Sequence, residues 1–280
     1  MRKVDVKEIE NAIRNMSIKT NIYVGEDVLN AFNKFQKEET SPIGNGIIAN
    51  LIKNAEIAAQ EQVPICQDTG MAVVFVEVGQ EVQLIGGNIT SAINEGVRRG
   101  YKDGYLRKSV VDDPVLRKNT GDNTPAIIYY DIVQGNKVKI TLAPKGFGSE
   151  NMSRLKMLKP SDGLAGVLDF VVETISIAGP NPCPPIVVGV GIGGTSDKAM
   201  CLAKKALTRD IGSHNEKDHL RDIEISLLEK INALGIGPQG LGGNTTALAV
   251  NVEAFATHIA GLPVAVNINC HVARHEVTII

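Results

Sequence analysis

The four cysteines constrain the fold of this chain most strongly, because they lie far apart and none belongs to a C-x-x-C pair. They are Cys66, Cys183, Cys201 and Cys270. Zinc ribbons and ferredoxin-type clusters use closely spaced cysteine pairs, so neither kind of site is expected. A site that uses several of these thiols must be assembled by the fold from distant segments.

The local sequence around each cysteine separates three of them from the fourth. The three lie at predicted strand ends or turns, in P-I-C-Q-D-T-G at 64–70, N-P-C-P-P at 181–185 and N-I-N-C-H-V-A-R-H at 267–275. Cys201 lies in a predicted helix, where a small thiol is ordinary packing. Three loop thiols suggest a three-cysteine metal site. On a cubane iron–sulfur cluster, three thiolates leave one iron open to act as a Lewis acid.

The composition is that of an ordinary globular protein with a sizeable core. The chain has 280 residues, of which 43% are hydrophobic and 21% charged, and its net charge is −2. This charge balance does not favour nucleic acid as a partner. The N-terminus lacks the apolar core of a signal peptide, and no apolar run approaches the ~20 residues of a membrane span. We therefore expect a cytoplasmic protein without a membrane partner, whose reducing surroundings disfavour disulfides.

Hydrophobic periodicity predicts a mixed α and β chain. Helices are expected over 3–60, after Asn88 as an N-cap, after Ser161, over 196–208 and over 217–233, and strands over 71–78, 126–133, 137–142, 186–190, 246–256 and 263–269. The runs at 126–133 and 137–142 flank Q-G-N and predict a hairpin. Residues 105–121 show little periodicity and are expected to form a long loop.

The order of these elements predicts the fold class. We expect N-terminal helices followed by a mixed sheet with packed helices and glycine-rich loops at the strand ends. One such loop, Gly235–Gly243, holds five glycines in nine residues, which indicates a backbone shaped for close approach. No linker, repeat or low-complexity tract interrupts the chain, so residues 1–280 are expected to form a single domain.

A second glycine-rich segment matches a nucleotide-binding pattern only in part. G-V-G-I-G-G at 189–194 satisfies G-x-G-x-x-G between a predicted strand and a predicted helix. Asp210, at a suitable distance, lies at the end of that same helix and not after a second strand. Close helix–strand packing is the favoured interpretation, and a nucleotide-dependent oxidoreductase is kept as a remote alternative.

Several motifs together resemble one enzyme family, the class I, iron–sulfur-dependent fumarases with their L-tartrate dehydratase relatives. The motifs, in chain order, are C-Q-D-T-G at 66–70, L-R-K-S-V-V-D-D-P at 106–114, K-G-F-G-S-E-N at 145–151, N-P-C-P-P at 181–185, G-I-G-G-T at 191–195, G-P-Q-G-L-G-G-N-T-T at 237–246, H-I-A-G-L-P at 258–263 and N-C-H-V-A-R-H at 269–275. They span nearly the whole chain. The chain looks most like the separate alpha subunit of the two-subunit form.

This resemblance implies a [4Fe-4S] cluster among the glycine-rich loops and assigns residues to it and to the substrate. The ligands of the cluster would be Cys66, Cys183 and Cys270. Asp68 would handle the proton of the substrate hydroxyl as the catalytic residue. The groups that hold the substrate carboxylates near the open iron would be Gln67, Arg107, Gly148 and His258. Phe147 departs from the pattern, since some branches of the family have glycine there.

The chemistry of these residue types agrees with removal of water from a 2-hydroxy dicarboxylate. An open iron assists the departing hydroxide, and a guanidinium such as Arg107 grips a carboxylate in bidentate fashion. Asp68 is suited to general acid catalysis. Taken singly, each has a plainer interpretation: Arg107 as a surface ion pair, His258 as a core histidine and Asp68 as a helix cap.

We therefore expect the alpha subunit of a hydro-lyase, with fumarate hydratase as the first hypothesis and L(+)-tartrate dehydratase as the alternative. A non-catalytic scaffold with a structural metal is a third possibility, and it would fill every coordination position. The resemblance implies that the base for the carbon-bound proton comes from a separate beta subunit. Two copies of each chain are expected, as a homodimeric alpha core in a heterotetramer.

Overall fold

A computed structural model describes all residues, Met1–Ile280, and packing divides them into two compact units. The first unit comprises Met1–Val24, Ala55–Phe147 and Arg274–Ile280. The second comprises Gly25–Asn54 and Gly148–Ala273. The expected single domain stays a prediction.

The chain is a mixture of helices and strands, as its periodicity predicts. The helices are α1 (Val6–Ile22), α2 (Glu26–Glu38), α3 (Pro42–Glu61), α4 (Ile89–Asp103), α5 (Phe147–Glu150), α6 (Gly163–Ala178), α7 (Ser196–Ala206) and α8 (Asp218–Asn232). The strands are β1 (Arg2–Asp5), β2 (Met71–Gly79), β3 (Val82–Ile85), β4 (Ile127–Val133), β5 (Val138–Lys145), β6 (Arg154–Leu158), β7 (Ile186–Gly193), β8 (Ala247–Phe255), β9 (Leu262–Asn269) and β10 (Glu276–Ile279). None of the helices has the length and apolar character that a membrane crossing requires.

The first unit is built on a four-stranded mixed sheet of order β10-β5-β2-β4, beside a small parallel pair of β1 and β3. Helices α1 and α4 pack on this sheet through a shared core. In α4, Ile93, Val97 and Tyr101 recur every four residues and form the buried stripe. Asn88 begins α4 as expected, since its side-chain oxygen accepts a hydrogen bond from Ser91 N at 3.0 Å.

The predicted hairpin of β4 and β5 is wrong, because β2 lies between these two strands. β2 pairs with β4 in parallel and with β5 in antiparallel register. Gln134–Lys137 therefore crosses the end of β2, where Gly79 N donates to Lys137 O and Glu81 N donates to Gly135 O. The run Ala72–Val76 is buried throughout, because β2 is a central strand with neighbours on both edges and on both faces of the sheet.

The second unit contains a mixed sheet of order β6-β9-β7-β8 with helices on both faces. Alternate residues of β7, namely Ile186, Val188 and Val190, join the core formed with α6 and α8. On the opposite face of β7, Gly189 and Gly191 lie against α7. This alternation follows from the two-residue period of a strand.

The two glycines of β7 allow α7 to lie close to the sheet. A Cβ added at Gly191 would lie 2.7 Å from Ala203 N, and one at Gly189 would lie 2.9 Å from Leu207 Cγ. Real Cβ atoms do not approach neighbours this closely, so only glycine fits. The packing interpretation of G-V-G-I-G-G is therefore confirmed.

Candidate active site

The residues assigned to the site divide evenly between the two units. Cys66, Gln67, Asp68 and Arg107 belong to the first unit. Gly148, Cys183, His258 and Cys270 belong to the second. Within each unit, contacts that the sequence motifs did not reveal hold several of these residues in place.

The C-Q-D-T-G loop of the first unit is held by hydrogen bonds to its backbone. Tyr101 is fully buried, and its hydroxyl donates to Thr69 O at 2.7 Å and lies 3.0 Å from Gly70 O. Burial raises the pKa of the Tyr101 hydroxyl well above its usual range, so it stays a neutral donor. Asn123 Nδ2 donates to Gly70 O at 3.1 Å, also in the interior. The loop is thus anchored from beneath by polar side chains.

Asp68 has a fixed carboxylate within this loop. Its Oδ1 accepts from Gly70 N at 3.0 Å, and its Oδ2 accepts from Phe147 N at 3.0 Å. Phe147 begins the short helix α5, so Asp68 does accept from a helix end, although from a segment far away in sequence. Gly146 lies beside the same carboxylate, since a Cβ there would be 3.2 Å from Oδ2. The backbone contacts orient both oxygens and leave lone pairs for a ligand.

Of the other members in the first unit, two belong to this loop and the third is bonded to it. Cys66 is half-buried and Gln67 is exposed, with Gln67 Oε1 at 3.4 Å from Cys66 Sγ. Arg107 O accepts from Thr69 Oγ1 at 3.1 Å, which ties the start of the long loop to the motif. The Arg107 side chain is exposed and takes no part in the ion pairs of the structure. A surface ion pair therefore does not explain it, and its guanidinium is open to an anionic ligand.

In the second unit, the segments that carry Cys183 and Cys270 touch each other. His271 N donates to Cys183 O at 3.3 Å, and His271 Nδ1 lies 3.1 Å from the same oxygen. A carbonyl only accepts, so we assign a proton to Nδ1. Gln239 extends the contact, since its Nε2 donates to Pro184 O at 2.7 Å and lies 3.2 Å from His271 Nδ1. His271 and Gln239 were missed from the sequence, although both lie inside the matched motifs.

Gly148 and His258 are both exposed. A Cβ added at Gly148 would lie 3.6 Å from Asn181 O, so Gly148 lies against the N-P-C-P-P segment. His258 lies in the turn between β8 and β9, where its Nδ1 accepts from Ala260 N at 3.2 Å. The interpretation of His258 as a core histidine is therefore wrong.

The cysteines fit an iron–sulfur cluster by donor type. No disulfide joins any of them. Cys201 lies within α7, and the other three lie outside helices and strands. Soft thiolates are the ligands that iron–sulfur clusters use. No group of three or more His, Cys, Asp or Glu side chains is arranged to hold a single metal ion.

Known proteins resemble this chain over almost its whole length. The family model described as Fumarate hydratase (Fumerase) matches residues 10–278. A protein of Methanocaldococcus jannaschii, provisionally named L(+)-tartrate dehydratase subunit alpha, is 47% identical over 264 residues, which cover 91% of this chain and 92% of the relative. The L(+)-tartrate dehydratase alpha subunits of Escherichia coli K12 and Shigella sonnei are each 34% identical over 272 residues, which cover 96% of this chain and 89% of each relative. The resemblance drawn from the motifs is confirmed: the chain belongs to the fumarate hydratase (Fumerase) family.

Proposed function

We propose that this chain is the alpha subunit of a two-subunit [4Fe-4S] hydro-lyase that acts on a four-carbon dicarboxylate. The observation that supports it best is the Asp68 carboxylate, held at both oxygens in a loop that also carries the half-buried Cys66 and is tied through Thr69 to the backbone of the exposed Arg107. This combination suits proton transfer to a hydroxyl on an anionic substrate. Membership of a hydro-lyase family agrees with that chemistry.

The proposed ligands of the cluster are Cys66, Cys183 and Cys270. When bound through three thiolates, the cluster supplies one iron without a protein ligand, which serves as a Lewis acid. Since the thiols must stay reduced, we place the protein in the cytoplasm.

The remaining residues bind and orient the substrate and move a proton. Arg107 grips one carboxylate through its exposed guanidinium, with two parallel N–H donors. Gln67, Gly148 and His258 complete the carboxylate contacts. Asp68 delivers the proton that the departing hydroxyl needs to leave as water, and receives it in the hydration direction.

A separate beta subunit supplies what these residues do not. Dehydration also requires a base for the carbon-bound proton and further cations for the second carboxylate, and we assign both to that partner. The names of the relatives, which are alpha subunits, support a two-subunit enzyme. We propose two copies of each chain, with the alpha chains forming a homodimeric core.

There are two alternative hypotheses for the substrate. The family description favours fumarate and (S)-malate, interconverted by addition or removal of water. The names of the relatives favour L(+)-tartrate. The same Arg107 and Asp68 would serve either substrate, because both are four-carbon dicarboxylates with a hydroxyl next to a carboxylate.

The decisive experiment is anaerobic purification of the chain with its beta partner, followed by assays with malate, fumarate and tartrate. We expect a broad iron–sulfur absorbance and turnover of one of these substrates by the complex, with almost none by the alpha chain alone. Ser substitution at Cys66, Cys183 or Cys270 should abolish the absorbance, whereas the matched control Cys201→Ser should retain it. Bleaching by Cys201→Ser alone, or a normal rate from the isolated alpha chain, would contradict the proposal.

A further inference from the structure

Arg274 is a buried cation with most of its donors unused. Its side chain belongs to the first unit, and the residue is 5% exposed. Nη2 donates to Asp68 O at 2.6 Å. The two other guanidinium nitrogens, Nε and Nη1, are buried and have no hydrogen-bond partner. This residue lies outside the set that the sequence assigned to cluster or substrate.

Such an arrangement is unfavourable for stability alone. A buried guanidinium loses its hydration, and one hydrogen bond to a carbonyl replaces only part of it. The nearby Tyr101 hydroxyl is neutral and already donates to Thr69 O, so it does not compensate the charge. An apolar side chain would fill this space at lower cost. A charge kept at such a position is therefore expected to serve the loop it contacts.

The contact falls on the residue whose orientation matters most. The carbonyl of Asp68 belongs to the same residue as the carboxylate that Gly70 N and Phe147 N hold. Fixing the peptide on one side and the carboxylate on the other leaves the Asp68 side chain little freedom to rotate. A hydrogen bond from a charged donor is roughly twice as strong as a neutral one, so the Arg274 contact holds the Asp68 peptide firmly.

We propose that Arg274 is a positioning residue that orients Asp68 for proton transfer through the charged hydrogen bond from Nη2 to Asp68 O. This inference rests on the proposed function, in which Asp68 handles the hydroxyl proton. Arg274 does not touch substrate, since Nε and Nη1 are buried. It acts on turnover through Asp68, and it leaves substrate binding by Arg107 almost unchanged.

The test uses the anaerobically prepared complex with the beta subunit and four variants. Arg274→Gln keeps a neutral donor, and Arg274→Lys keeps the charge. Asp68→Asn and the double variant Asp68→Asn with Arg274→Gln complete a cycle. Since misplacing a catalytic group by about 1 Å costs about 100-fold, Arg274→Gln should lower kcat by about 10- to 100-fold, with KM changed less than about threefold. Arg274→Lys should recover most of that loss.

The double variant distinguishes positioning from a general structural role. If Arg274 acts through Asp68, the double variant should be no slower than Asp68→Asn alone. The control is Arg209→Gln, since Arg209 is a largely buried guanidinium of the second unit that pairs with Glu224 at 2.7 Å. It should lower the melting temperature and leave kcat per folded enzyme unchanged. Iron content and unfolding curves are recorded for every variant.

Each outcome bears on one of the two claims. Any of three results would overturn the inference. The losses of kcat could multiply in the double variant, the effect of Arg274→Gln could be confined to KM, or Arg274→Lys could be as slow as Arg274→Gln. If Arg274→Gln does not fold, the same cycle is completed with Arg274→Lys, whose loss must likewise vanish in the Asp68→Asn background. Full activity of Asp68→Asn would instead overturn the proposed function. An inactive Asp68→Asn with an unaffected Arg274→Gln would overturn only the role of Arg274.

Discussion

Gly70→Ala should destabilise the first unit strongly, because this glycine meets two separate constraints. Its φ is +75°, a left-handed conformation that costs a residue with a Cβ about 1–2 kcal/mol. An added Cβ would also lie 2.8 Å from Lys145 N and 2.9 Å from Lys145 C. Both atoms belong to the main chain at the end of β5, where Lys145 pairs with Met71. Relief would therefore require a shift of the strand and not of a flexible side chain.

The expected size follows from these two contributions. Overpacking against fixed neighbours costs about 1–3 kcal/mol, so the sum is about 2–5 kcal/mol. Gly121→Ala is the matched control, because Gly121 has a φ of +80° and nothing within 4 Å of an added Cβ. It should cost only the conformational part, about 1–2 kcal/mol. The difference between the two variants isolates the contact with Lys145.

Urea unfolding of both variants, with unchanged m-values, provides the measurement. Gly70→Ala should also lower turnover of the complex, since Gly70 N holds Asp68 Oδ1. Equal losses of stability in Gly70→Ala and Gly121→Ala would show that β5 yields easily, and the reasoning from the rigid strand would then be refuted.

Two further predictions concern packing and pH. Gly191→Ala should cost about 2–3 kcal/mol by displacing α7, whereas Gly46→Ala in α3, with nothing within 4 Å, should stabilise slightly; thermal unfolding compares them. Partial burial would raise the pKa of Asp122, but hydrogen bonds from Thr124 and Arg98 outweigh it and lower the pKa to about 2. A carboxylate whose pKa is lower in the folded protein than in the unfolded chain stabilises the fold at pH values above the unfolded pKa, and this contribution is lost as the pH falls through the folded pKa. The unsubstituted protein should therefore lose on the order of 1 kcal/mol of stability through Asp122 between about pH 4 and 2. Asp122→Asn should lack this loss in unfolding curves across that range, and an identical pH dependence would contradict it.

The sequence predicted most individual elements but not how the strands pair. β2, β8 and β9 are long enough for their apolar pattern to show, whereas β1, β3, β6 and β10 have only four or five residues each. Such short strands carry too little periodicity to be recognised. The error at β4 and β5 has another cause. The short connection between β4 and β5 favours a hairpin locally. The apolar strand β2 is buried by pairing with both strands, and it therefore lies between β4 and β5 in the sheet.

The candidate site shows the same limit. Residues with distinctive chemistry, such as Cys66 and Asp68, stand out in short motifs. The donors that support them do not, because Tyr101 and Asn123 become neighbours of the loop only through folding. One signal was available for Tyr101: it continues the buried stripe of α4, where a hydroxyl needs a partner. Arg274 lay inside the last motif, but its burial could not be inferred from that position.

The supporting contacts suggest how a loop can carry reactive groups without being mobile. Loops usually leave backbone groups to water, and they move accordingly. Here three successive carbonyls, those of Asp68, Thr69 and Gly70, accept from buried donors on separate segments. The loop backbone is therefore fixed when the unit folds, before any ligand binds. Since those donors approach from the interior, Gln67 stays exposed and available to a ligand. We therefore expect loss of any one donor to reduce turnover more than it reduces substrate affinity.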